Sequence, residues 1–524
     1  MKGIAARAAL LTFALCVGAC STIRHDFVKQ ETHALPPADD TKSAQYISAE
    51  LHNHAGESGF RLLTKSNDAL MSRVSLADHA QHTLDVQYYI FKNDETGRLL
   101  AQRLLAAADR GVRVRILLDD ITLSDEDRML DALDVHENIE VRLFNPYNTR
   151  SASLLSKVGQ FVVDGSRLNR RMHNKSFIAD NRAAIVGGRN IGNDYFDAST
   201  ETNFRDLDVI AIGPVVSEAS RVFDDYWNSD AAYPVKALGN AKDPKGDLEK
   251  LRHALARDAR TFLQSDYARQ VLEELPEGAT GTRWGEWFWG AAETVADQPE
   301  KVATKEDVPA LRIGPKLKTM IDGAQHTVFA TSPYFVPGES GAKFLEALAA
   351  RGVDTRILTN SLAATDEPVV HTGYAHYREE LLAGGVKLFE LKPSPGAEQP
   401  ATSKGTSSGV SLHAKSVVVD DRFVFIGSMN MDQRSKLLNT EMGLIVDSPK
   451  LAAAVRAFFD AATSPDAAFA VSLEGPEAQG KSRRMVWNWR DASGPRTEYT
   501  DPGVTPKRRM EVLVLRWLPL EGLL

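Results

Sequence analysis

Cysteine, positive charge and long apolar runs are all scarce in this sequence. Its 524 residues contain two cysteines, both within the first 20 positions, so packing alone must stabilise the folded part of the chain. Asp and Glu number 70 against 62 Lys and Arg, which disfavours nonspecific nucleic-acid binding because backbone phosphates are held by many basic contacts. The apolar run from Ala8 to Ala19 is too short to span a bilayer. The overall composition, 43% hydrophobic and 25% charged, is typical of a folded globular protein.

The N-terminus has the pattern of an export signal. Lys2 and Arg7 precede the apolar run, which ends in the sequence VGACS. This ending resembles the lipobox of bacterial lipoproteins and implies cleavage before Cys20 and lipidation of that residue. Loss of the two basic residues would take the net charge from -8 to -10. We therefore expect a membrane-anchored lipoprotein facing the periplasm, with Ser21 favouring the outer membrane; an ordinary secretory signal or an uncleaved anchor is the alternative.

Beyond a polar segment, the sequence predicts β-α-β units. Residues 83–91 have strand composition, residues 99–108 have helical spacing of apolar positions, and residues 112–118 read as a second strand after a glycine. A strand, a helix and a strand in this order predict a parallel sheet with a crossover helix. The fold class is therefore α/β.

The same pattern occurs twice. The sequence AQHT at residues 80–83 returns at 324–327, and GVRVRIL at 111–117 returns as GVDTRIL at 352–358. HNKSFIADNRAAIVGGRN at 173–190 returns as HAKSVVVDDRFVFIGSMN at 413–430. Three matches in one order at nearly one offset predict a duplicated domain whose two copies face each other.

Each copy of the longest match predicts a hairpin that carries polar groups to one end of a sheet. His173 and Lys175 are two residues apart and share a face of a strand, as do His413 and Lys415. Small residues at the end of the return strand let backbone approach a ligand, and an asparagine there supplies an amide. These asparagines are Asn190 and Asn430.

Carboxylates in the two copies have two expected roles. Asp180 and Asp420 stand at turn positions, so we interpret them as turn residues or hydrogen-bond anchors and not as proton carriers. Glu201 and Glu441 each lie eleven residues beyond the asparagine. A carboxylate there is predicted to hold the second nitrogen of an imidazole, as the third member of a catalytic triad does.

Two histidines, two lysines and two asparagines in one pocket are suited to a phosphate. The polar donors neutralise and position its oxygens, while one neutral imidazole attacks phosphorus and the other, protonated, protonates the leaving alcohol. Neither copy has cysteine or a second histidine at metal-ligand spacing, and two ammonium groups repel a cation. The sequence therefore predicts no metal and no cofactor.

This pattern resembles the phospholipase D superfamily, whose signature HxKx4Dx6GSxN is met by His413, Lys415, Asp420, Ser428 and Asn430. The first copy meets it with glycine, Gly188, in the serine position. The resemblance places Asp180 and Asp420 among the catalytic motif residues and Ser428 in phosphate support. It also implies that His173 is the nucleophile, through a phosphohistidine, and His413 the acid.

The resemblance implies two phospholipase D-like α-β-α sandwich domains, packed pseudo-symmetrically, with mixed, largely parallel sheets and the active site between them within one chain. The predicted segments are a signal peptide (1–19), a flexible tether (20–59), the first domain (60–230), a connecting insert (231–310), the second domain (311–470) and a C-terminal tail packing on the domains (471–524).

Among superfamily functions, the lipobox, the two motifs in one chain and the segment HTGYAHYR at 371–378 resemble the bacterial cardiolipin synthase branch. This implies a phosphatidyltransferase that moves a phosphatidyl group between membrane phospholipids. Alternatives are a phospholipase D that uses water as acceptor, a periplasmic phosphodiesterase or nuclease, and a catalytically inactive lipid-binding scaffold.

Overall fold

The computed structural model describes two α/β domains that share one continuous sheet. The described residues are 27–515 except 28, 38, 122–126, 148–163, 239–243, 275–285, 305, 394–408 and 476–482. The expected lipidation site, Cys20, lies outside them. The predicted α/β fold class with two similar domains is confirmed. No helix in the described part of the chain has both the length and the apolar character needed to cross a membrane.

The first domain forms one half of the sheet. Its strands lie side by side in the order β9-β4-β3-β2-β5-β6-β8-β1. Only the β2–β3 and β3–β4 pairs are parallel, because crossover helices connect these strands. The other pairs are antiparallel, so the expectation of a largely parallel sheet is wrong and the sheet is mixed. The strands are β1 (Ser58–Leu63), β2 (Thr83–Tyr88), β3 (Arg113–Asp119), β4 (Ile139–Phe144), β5 (Ser176–Ala179), β6 (Ala183–Gly187), β7 (Thr202–Arg205), β8 (Asp208–Ile212) and β9 (Ala232–Pro234).

Helices cover this half of the sheet. The predicted crossover helix begins where the side chain of Asp94 accepts from the backbone N–H of Gly97, and ends before Gly111, whose φ of 92° favours glycine. Its buried face, including Leu100 and Leu104, packs in the core of the domain. The helices are α1 (Lys42–Leu51), α2 (Ser66–His79), α3 (Glu95–Asp109), α4 (Asp127–Leu133), α5 (Pro214–Asn228), α6 (Pro244–Leu263) and α7 (Asp266–Glu274).

The second domain repeats this arrangement in the order β10-β17-β16-β15-β11-β12-β13-β18-β19-β20. Its strands are β10 (Phe288–Ala296), β11 (Thr327–Thr331), β12 (Asp354–Asn360), β13 (Lys387–Leu391), β14 (Gly409–Leu412), β15 (Ser416–Val419), β16 (Phe423–Gly427), β17 (Met442–Asp447), β18 (Ala468–Glu474), β19 (Arg484–Asp491) and β20 (Gly494–Glu498). Its helices are α8 (Gly314–Asp322), α9 (Gly338–Ala350), α10 (Pro368–Ala383), α11 (Gln433–Leu437), α12 (Pro449–Ala462) and α13 (Pro506–Leu515).

Backbone pairing joins the two domains. Strand β10 pairs with β1 through residues 288–290 and with β17 through residues 291–296. Strands β7 and β14 pair in parallel outside the main sheet, and Met172 forms a parallel bridge with Thr440. A core cluster that contains side chains of both domains, including those on α5 and α12, fills the interface. The domains are therefore held in one fixed relation, because apolar burial and hydrogen bonds act at the same boundary.

The segment expected to be a flexible tether is partly ordered. Gln30 and Thr32 offer their backbone carbonyls to the buried guanidinium groups of Arg142 (2.6 Å) and Arg115 (2.9 Å) of the first domain. Helix α1 follows, so order begins well before Phe60. The physical reason is that two buried arginines need acceptors, and this strip of backbone supplies them.

Two tryptophans of the connecting segment pack against the domains. Trp287 is buried, and Trp289 stacks on His54 with ring centroids 3.9 Å apart. The third tryptophan of this group, Trp284, lies outside the described residues. Both described tryptophans therefore contribute to packing of the connecting segment on the domains.

Candidate active site

The two predicted hairpins form as expected. Strands β5 and β6 pair through the turn at Asp180-Asn181, and β15 and β16 pair through Asp420-Asp421. All four turn residues have φ between 50° and 53°. Hairpin turns of this kind require positive φ at both central positions, which Asn and Asp tolerate.

The turn aspartates hold each hairpin to the start of a neighbouring strand. The Asp180 carboxylate accepts from three successive backbone N–H groups at residues 81–83, at 2.8 to 3.2 Å. Asp420 does the same at residues 325–327, at 2.8 to 2.9 Å. Both lie at the opposite end of the strand from the histidine. Their place in the motif is therefore structural: they fix the position of the strand that carries the histidine and lysine.

Each histidine is held by a carboxylate of the other domain. The Nδ1 atom of His173 lies 2.8 Å from Oε2 of Glu441, and the Nδ1 atom of His413 lies 2.6 Å from Oδ2 of Asp206. The backbone repeats this exchange, since His173 donates its N–H to Thr440 and His413 donates its N–H to Arg205, both at 2.8 Å. The pocket is thus built from both domains, and Nε2 is the nitrogen that remains for chemistry on each ring.

The predicted role of Glu201 is wrong. Glu201 is exposed, and its backbone carbonyl accepts from the N–H of Gly409. Register explains the error. Gly187 pairs with Asp208, whereas Gly427 pairs with Gly443, so the positions two residues before these partners are Asp206 and Glu441. The first copy has five extra residues before the strand, and counting from the asparagine therefore stops short of the functional carboxylate.

This carboxylate also explains the glycine at position 188. A β-carbon on Gly188 would lie 2.2 Å from Oδ1 of Asp206. In the second domain the equivalent Ser428 donates its hydroxyl to Oε2 of Glu441 at 2.5 Å. The shorter aspartate therefore occupies the space that a serine side chain would need, and the two halves support their carboxylates differently.

Both lysines are buried in the site. Lys175 donates to the carbonyl of His173 at 2.6 Å, and Lys415 donates to the carbonyl of His413. Burial lowers the pKa of Lys175 to about 7 and that of Lys415 to about 8. Each ammonium also lowers the pKa of the histidine in the other domain, which shows that all four groups share one electrostatic site.

The two asparagines differ in their partners. Asn190 accepts from the N–H of Ile90 at 3.2 Å and donates to the hydroxyl of Tyr195 at 3.0 Å. The Oδ1 atom of Asn430 is buried and has no hydrogen-bond partner. A buried carbonyl oxygen without a protein donor is costly, so the Asn430 side chain is the one suited to accept a hydrogen bond from a ligand.

Aromatic rings surround the histidines. Tyr89 meets His173 edge-on at 4.9 Å between centroids, and Tyr195 and Phe204 lie 5.2 and 5.1 Å from His413. The aromatic shell excludes water and lowers the local dielectric constant. Tyr195 and Phe204 have no signal in the sequence beyond their apolar character.

Burial gives the two histidine-carboxylate pairs different electrostatics. Burial lowers the pKa of His413 to about 4, against the opposing effect of Asp206, and lowers the pKa of His173 well below its ordinary value. Burial raises the pKa of Glu441 to about 7, whereas the His413 charge and hydrogen bond outweigh burial and lower the pKa of Asp206. The carboxylate behind His413 is the one that stays ionised and favours an imidazolium.

One group of possible metal ligands occurs among the described residues: His371, Glu390 and Asp501. The guanidinium of Arg378 lies within 3.0 Å of Nε2 of His371, 3.1 Å of Asp501 and 3.2 Å of Glu390. A cation of the protein itself therefore already occupies the centre of the group. This arrangement is a buried ion-pair network, which does not fit a metal site.

Two paired imidazoles with two ammonium groups can transfer a phosphoryl centre by in-line displacement, with one ring as nucleophile and the other as acid. A duplicated α/β fold with this constellation at the domain boundary defines the phospholipase D superfamily. The model of the family described as "Cardiolipin synthase, PLD-like domain" matches residues 74–227 and 317–463. The chain belongs to this family.

Known relatives agree with this assignment. Over 478 residues the chain is 40% identical to cardiolipin synthase C of Escherichia coli (strain K12), an alignment that covers 90% of this chain and 97% of that protein. It is 23% identical over 453 residues to cardiolipin synthase of Staphylococcus aureus (strain Mu50), covering 85% of this chain and 75% of that protein. The crystal structure of phosphatidylserine synthase from Haemophilus influenzae Rd KW20 has the same fold, with a TM-score of 0.55 at 12% identity over 91% of this chain and 100% of that chain.

Proposed function

We propose that this protein is a phosphatidyltransferase of cardiolipin-synthase type, which moves a phosphatidyl group from one phospholipid to the hydroxyl of another through a phosphohistidine. The observation that carries the proposal is the exchanged pair of histidine-carboxylate contacts in one buried pocket, in a chain 40% identical to a cardiolipin synthase over 90% of its length. An acceptor such as phosphatidylglycerol supplies the required hydroxyl.

In the first step, His173 acts as nucleophile and His413 as acid. With Nδ1 held by Glu441, Nε2 of His173 carries the lone pair that forms the bond to phosphorus. The bond from phosphorus to the leaving headgroup oxygen breaks, and Nε2 of His413 gives its proton to that oxygen. The ionised carboxylate of Asp206, 2.6 Å away, and the negative charge of the bound phosphate favour this protonated state of His413 and oppose burial, which keeps the ring neutral before substrate binds.

In the second step the acceptor lipid replaces the leaving alcohol. Nε2 of His413 takes the proton of the acceptor hydroxyl, the acceptor oxygen bonds to phosphorus, and the bond to His173 breaks. Lys175 and Lys415 neutralise the phosphate oxygens in both steps. Because burial lowers the pKa values of both lysines, the negative charge of a bound phosphate favours their protonated, positively charged form. Because the two imidazoles act on the same phosphate, the pH dependence of the reaction rate gives apparent pKa values of the pair and not of either histidine alone.

Hydrolysis is the alternative reaction, because water can replace the acceptor hydroxyl without any change in the protein groups. A periplasmic phosphodiesterase or nuclease would use the same chemistry on another substrate. The acceptor distinguishes transfer from hydrolysis, and the substrate distinguishes a lipid enzyme from a nuclease. The identity of the products, and not the rate, therefore separates these functions. The aromatic shell around His173 and His413 favours transfer, because it keeps water from the phosphohistidine.

Product analysis tests the proposal. Purified full-length protein is given vesicles of defined phospholipids with and without phosphatidylglycerol, and lipid products are identified by mass spectrometry. We expect a lipid with two phosphatidyl groups that depends on phosphatidylglycerol. Headgroup release without such a product would reject transfer in favour of hydrolysis, and cleavage of DNA in the matched reaction would support a nuclease.

Trapping tests the roles of the two histidines. When a reaction with substrate labelled in the phosphate is quenched in denaturant at alkaline pH, where the P–N bond of a phosphohistidine persists, we expect label on the peptide that contains His173 and none after His173→Gln. Label on the peptide that contains His413 would reverse the two roles. Glu201→Gln is the control, since this carboxylate is exposed and should leave the label unchanged.

The lipobox supports membrane anchoring through Cys20, in the periplasm and by preference at the outer membrane. Labelled fatty acid should be incorporated into the parent protein in cells, and fractionation should place it with outer-membrane markers. A Cys20→Ala variant that still incorporates fatty acid, or a parent protein that fractionates with soluble proteins, would contradict this assignment.

A further inference from the structure

The last described helix, α13, exposes an apolar stripe. Met510, Leu513 and Val514 are 61%, 53% and 59% exposed, and they stand at positions i, i+3 and i+4, which share one face of a helix. Val512, on the other side, is buried, and α13 packs there on α10. The exposed face is therefore an apolar surface on a helix whose opposite face is already fixed to the second domain.

Basic residues border this stripe. At about 100° per residue, Lys507 and Arg509 flank the stripe on its two sides. Both are exposed. Arg508 points the other way: it donates to the carbonyl of Thr365 at 3.1 Å and pairs with Glu511 at 3.5 Å. An apolar face between two cationic edges is the composition of helices that lie in the interface of an anionic bilayer.

The helix is linked to the catalytic pocket through a short loop. Next to Thr365, which holds Arg508, Asp366 accepts from the hydroxyl of Tyr334 at 2.7 Å. Tyr334 adjoins Phe335, which forms a parallel bridge with Met431, the residue after Asn430 of the site. A surface that seats on α13 therefore lies next to the side of the pocket formed by the second domain.

We infer that α13 docks on the surface of an anionic phospholipid bilayer, with Met510, Leu513 and Val514 inserted among the acyl chains and Lys507 and Arg509 on the headgroups. Charge complementarity carries the choice of partner: the protein as a whole is acidic, with a net charge of -8, yet this helix presents its cations around its apolar face. The inference rests on the proposed function, because docking here brings lipid substrates to the pocket.

A fluorescent probe at position 513 tests this inference. In the full-length chain with Cys16→Ala and Cys20→Ala, Leu513→Cys is labelled with an environment-sensitive fluorophore. Leu263→Cys is the matched control, since Leu263 is an apolar helical residue that is also exposed, at 47%. Vesicles of phosphatidylglycerol and phosphatidylcholine should shift the emission at 513 to the blue and at least double its intensity, with no shift at 263.

Charge and turnover measurements complete the test. Lys507→Glu with Arg509→Glu should raise the vesicle concentration needed for half of the shift by about tenfold or more, since each basic residue contributes to binding at an anionic surface. The same variant should keep normal turnover of a short-chain phospholipid dissolved as monomers. This separates the inference from the proposed function, which fails only if no transfer product forms.

Three results would overturn the inference. Equal signals at 513 and 263 would show general adsorption of the protein to vesicles. A blue-shifted signal at 513 before lipid is added, abolished by deletion of residues 516–524, would show that the chain's own C-terminus covers the stripe. A shift that grows with protein concentration in the absence of lipid would show contact with a second copy.

Discussion

Replacing Asp206 by asparagine should remove the acid function of His413. Nδ1 of His413 and Oδ2 of Asp206 are 2.6 Å apart, so the centres of an imidazolium and this carboxylate lie about 4 Å apart. At an effective dielectric constant of about 20 their attraction is about 4 kcal/mol. With about 1.4 kcal/mol per pKa unit, His413 becomes harder to protonate by about three units, and kcat/KM should fall about 10³-fold.

The assay compares Asp206→Asn with Glu201→Gln on phospholipid vesicles. We expect the first variant to lose about 10³-fold in transfer and the second, which changes an exposed carboxylate, to match the parent protein. Both should melt within a few degrees of the parent, because neither adds volume. The first-turnover burst with a phosphatidyl ester of nitrophenol, a leaving group that needs no proton, should be far less affected in Asp206→Asn than the burst with natural lipid.

Three outcomes would contradict this role of Asp206. If Asp206→Asn keeps transfer within about threefold of the parent protein, the carboxylate is a packing group and His413 gains its proton in another way. If the nitrophenol substrate is slowed as much as the natural lipid, the substitution disturbs the pocket as a whole and does not act on the proton. Greater loss in Glu201→Gln would restore the interpretation made from sequence spacing.

Four further predictions follow from the same geometry. Gly188→Ala places a carbon 2.2 Å from Oδ1 of Asp206 and should lower both the melting temperature and turnover, whereas Gly314→Ala, whose added carbon meets nothing closer than 3.8 Å, should change neither. Lys175→Met removes a buried ammonium and should reduce turnover at least 10²-fold while the melting temperature stays the same or rises, and near-normal turnover would contradict its role at the phosphate. Burial lowers the pKa of His413 to about 4, so between about pH 6.5 and that value the unfolded chain binds a proton that the folded chain does not. The free energy of unfolding therefore decreases as the pH is lowered through this window. Between pH 7 and pH 4.5, urea unfolding should show a decrease that is about 3 kcal/mol (two units at about 1.4 each) smaller in His413→Gln than in the parent. Chelation of divalent metals should leave transfer unchanged, and loss of activity restored by an added metal would contradict the metal-free mechanism.

Local patterns in the sequence were sufficient for the repeated units of the fold. The strand and helix assigned to residues 83–91 and 99–108 correspond to β2 (Thr83–Tyr88) and α3 (Glu95–Asp109), because alternation and helical spacing of apolar residues follow the burial of one face. The segment before the first domain gave no such signal. Gln30 and Thr32 are ordered by buried arginines more than 80 positions away in the chain, as |i−j| is 112 and 83.

The pairing of β10 with strands of both domains could not be predicted from its own sequence either. Its sequence follows an aromatic group in a charged segment, and its apolar residues show no clear alternation of burial. It forms a strand because β1 and β17 each have an edge whose backbone groups need partners. Residues 288–290 pair with β1, and residues 291–296 pair with β17. A strand that depends on two partners from different domains has a weak signature of its own.

The sequence by itself determined which groups lie together at the end of each hairpin. The spacing of histidine, lysine and asparagine, repeated in both copies, places them on one strand face and at one sheet end, and these are local properties of a hairpin. Only the tertiary structure decided which carboxylate serves which histidine. Glu441 reaches His173 across 268 positions and Asp206 reaches His413 across 207, because strands of the two domains pair at their boundary. Register between β6 and β8, and not distance along the chain, selected Asp206 over Glu201.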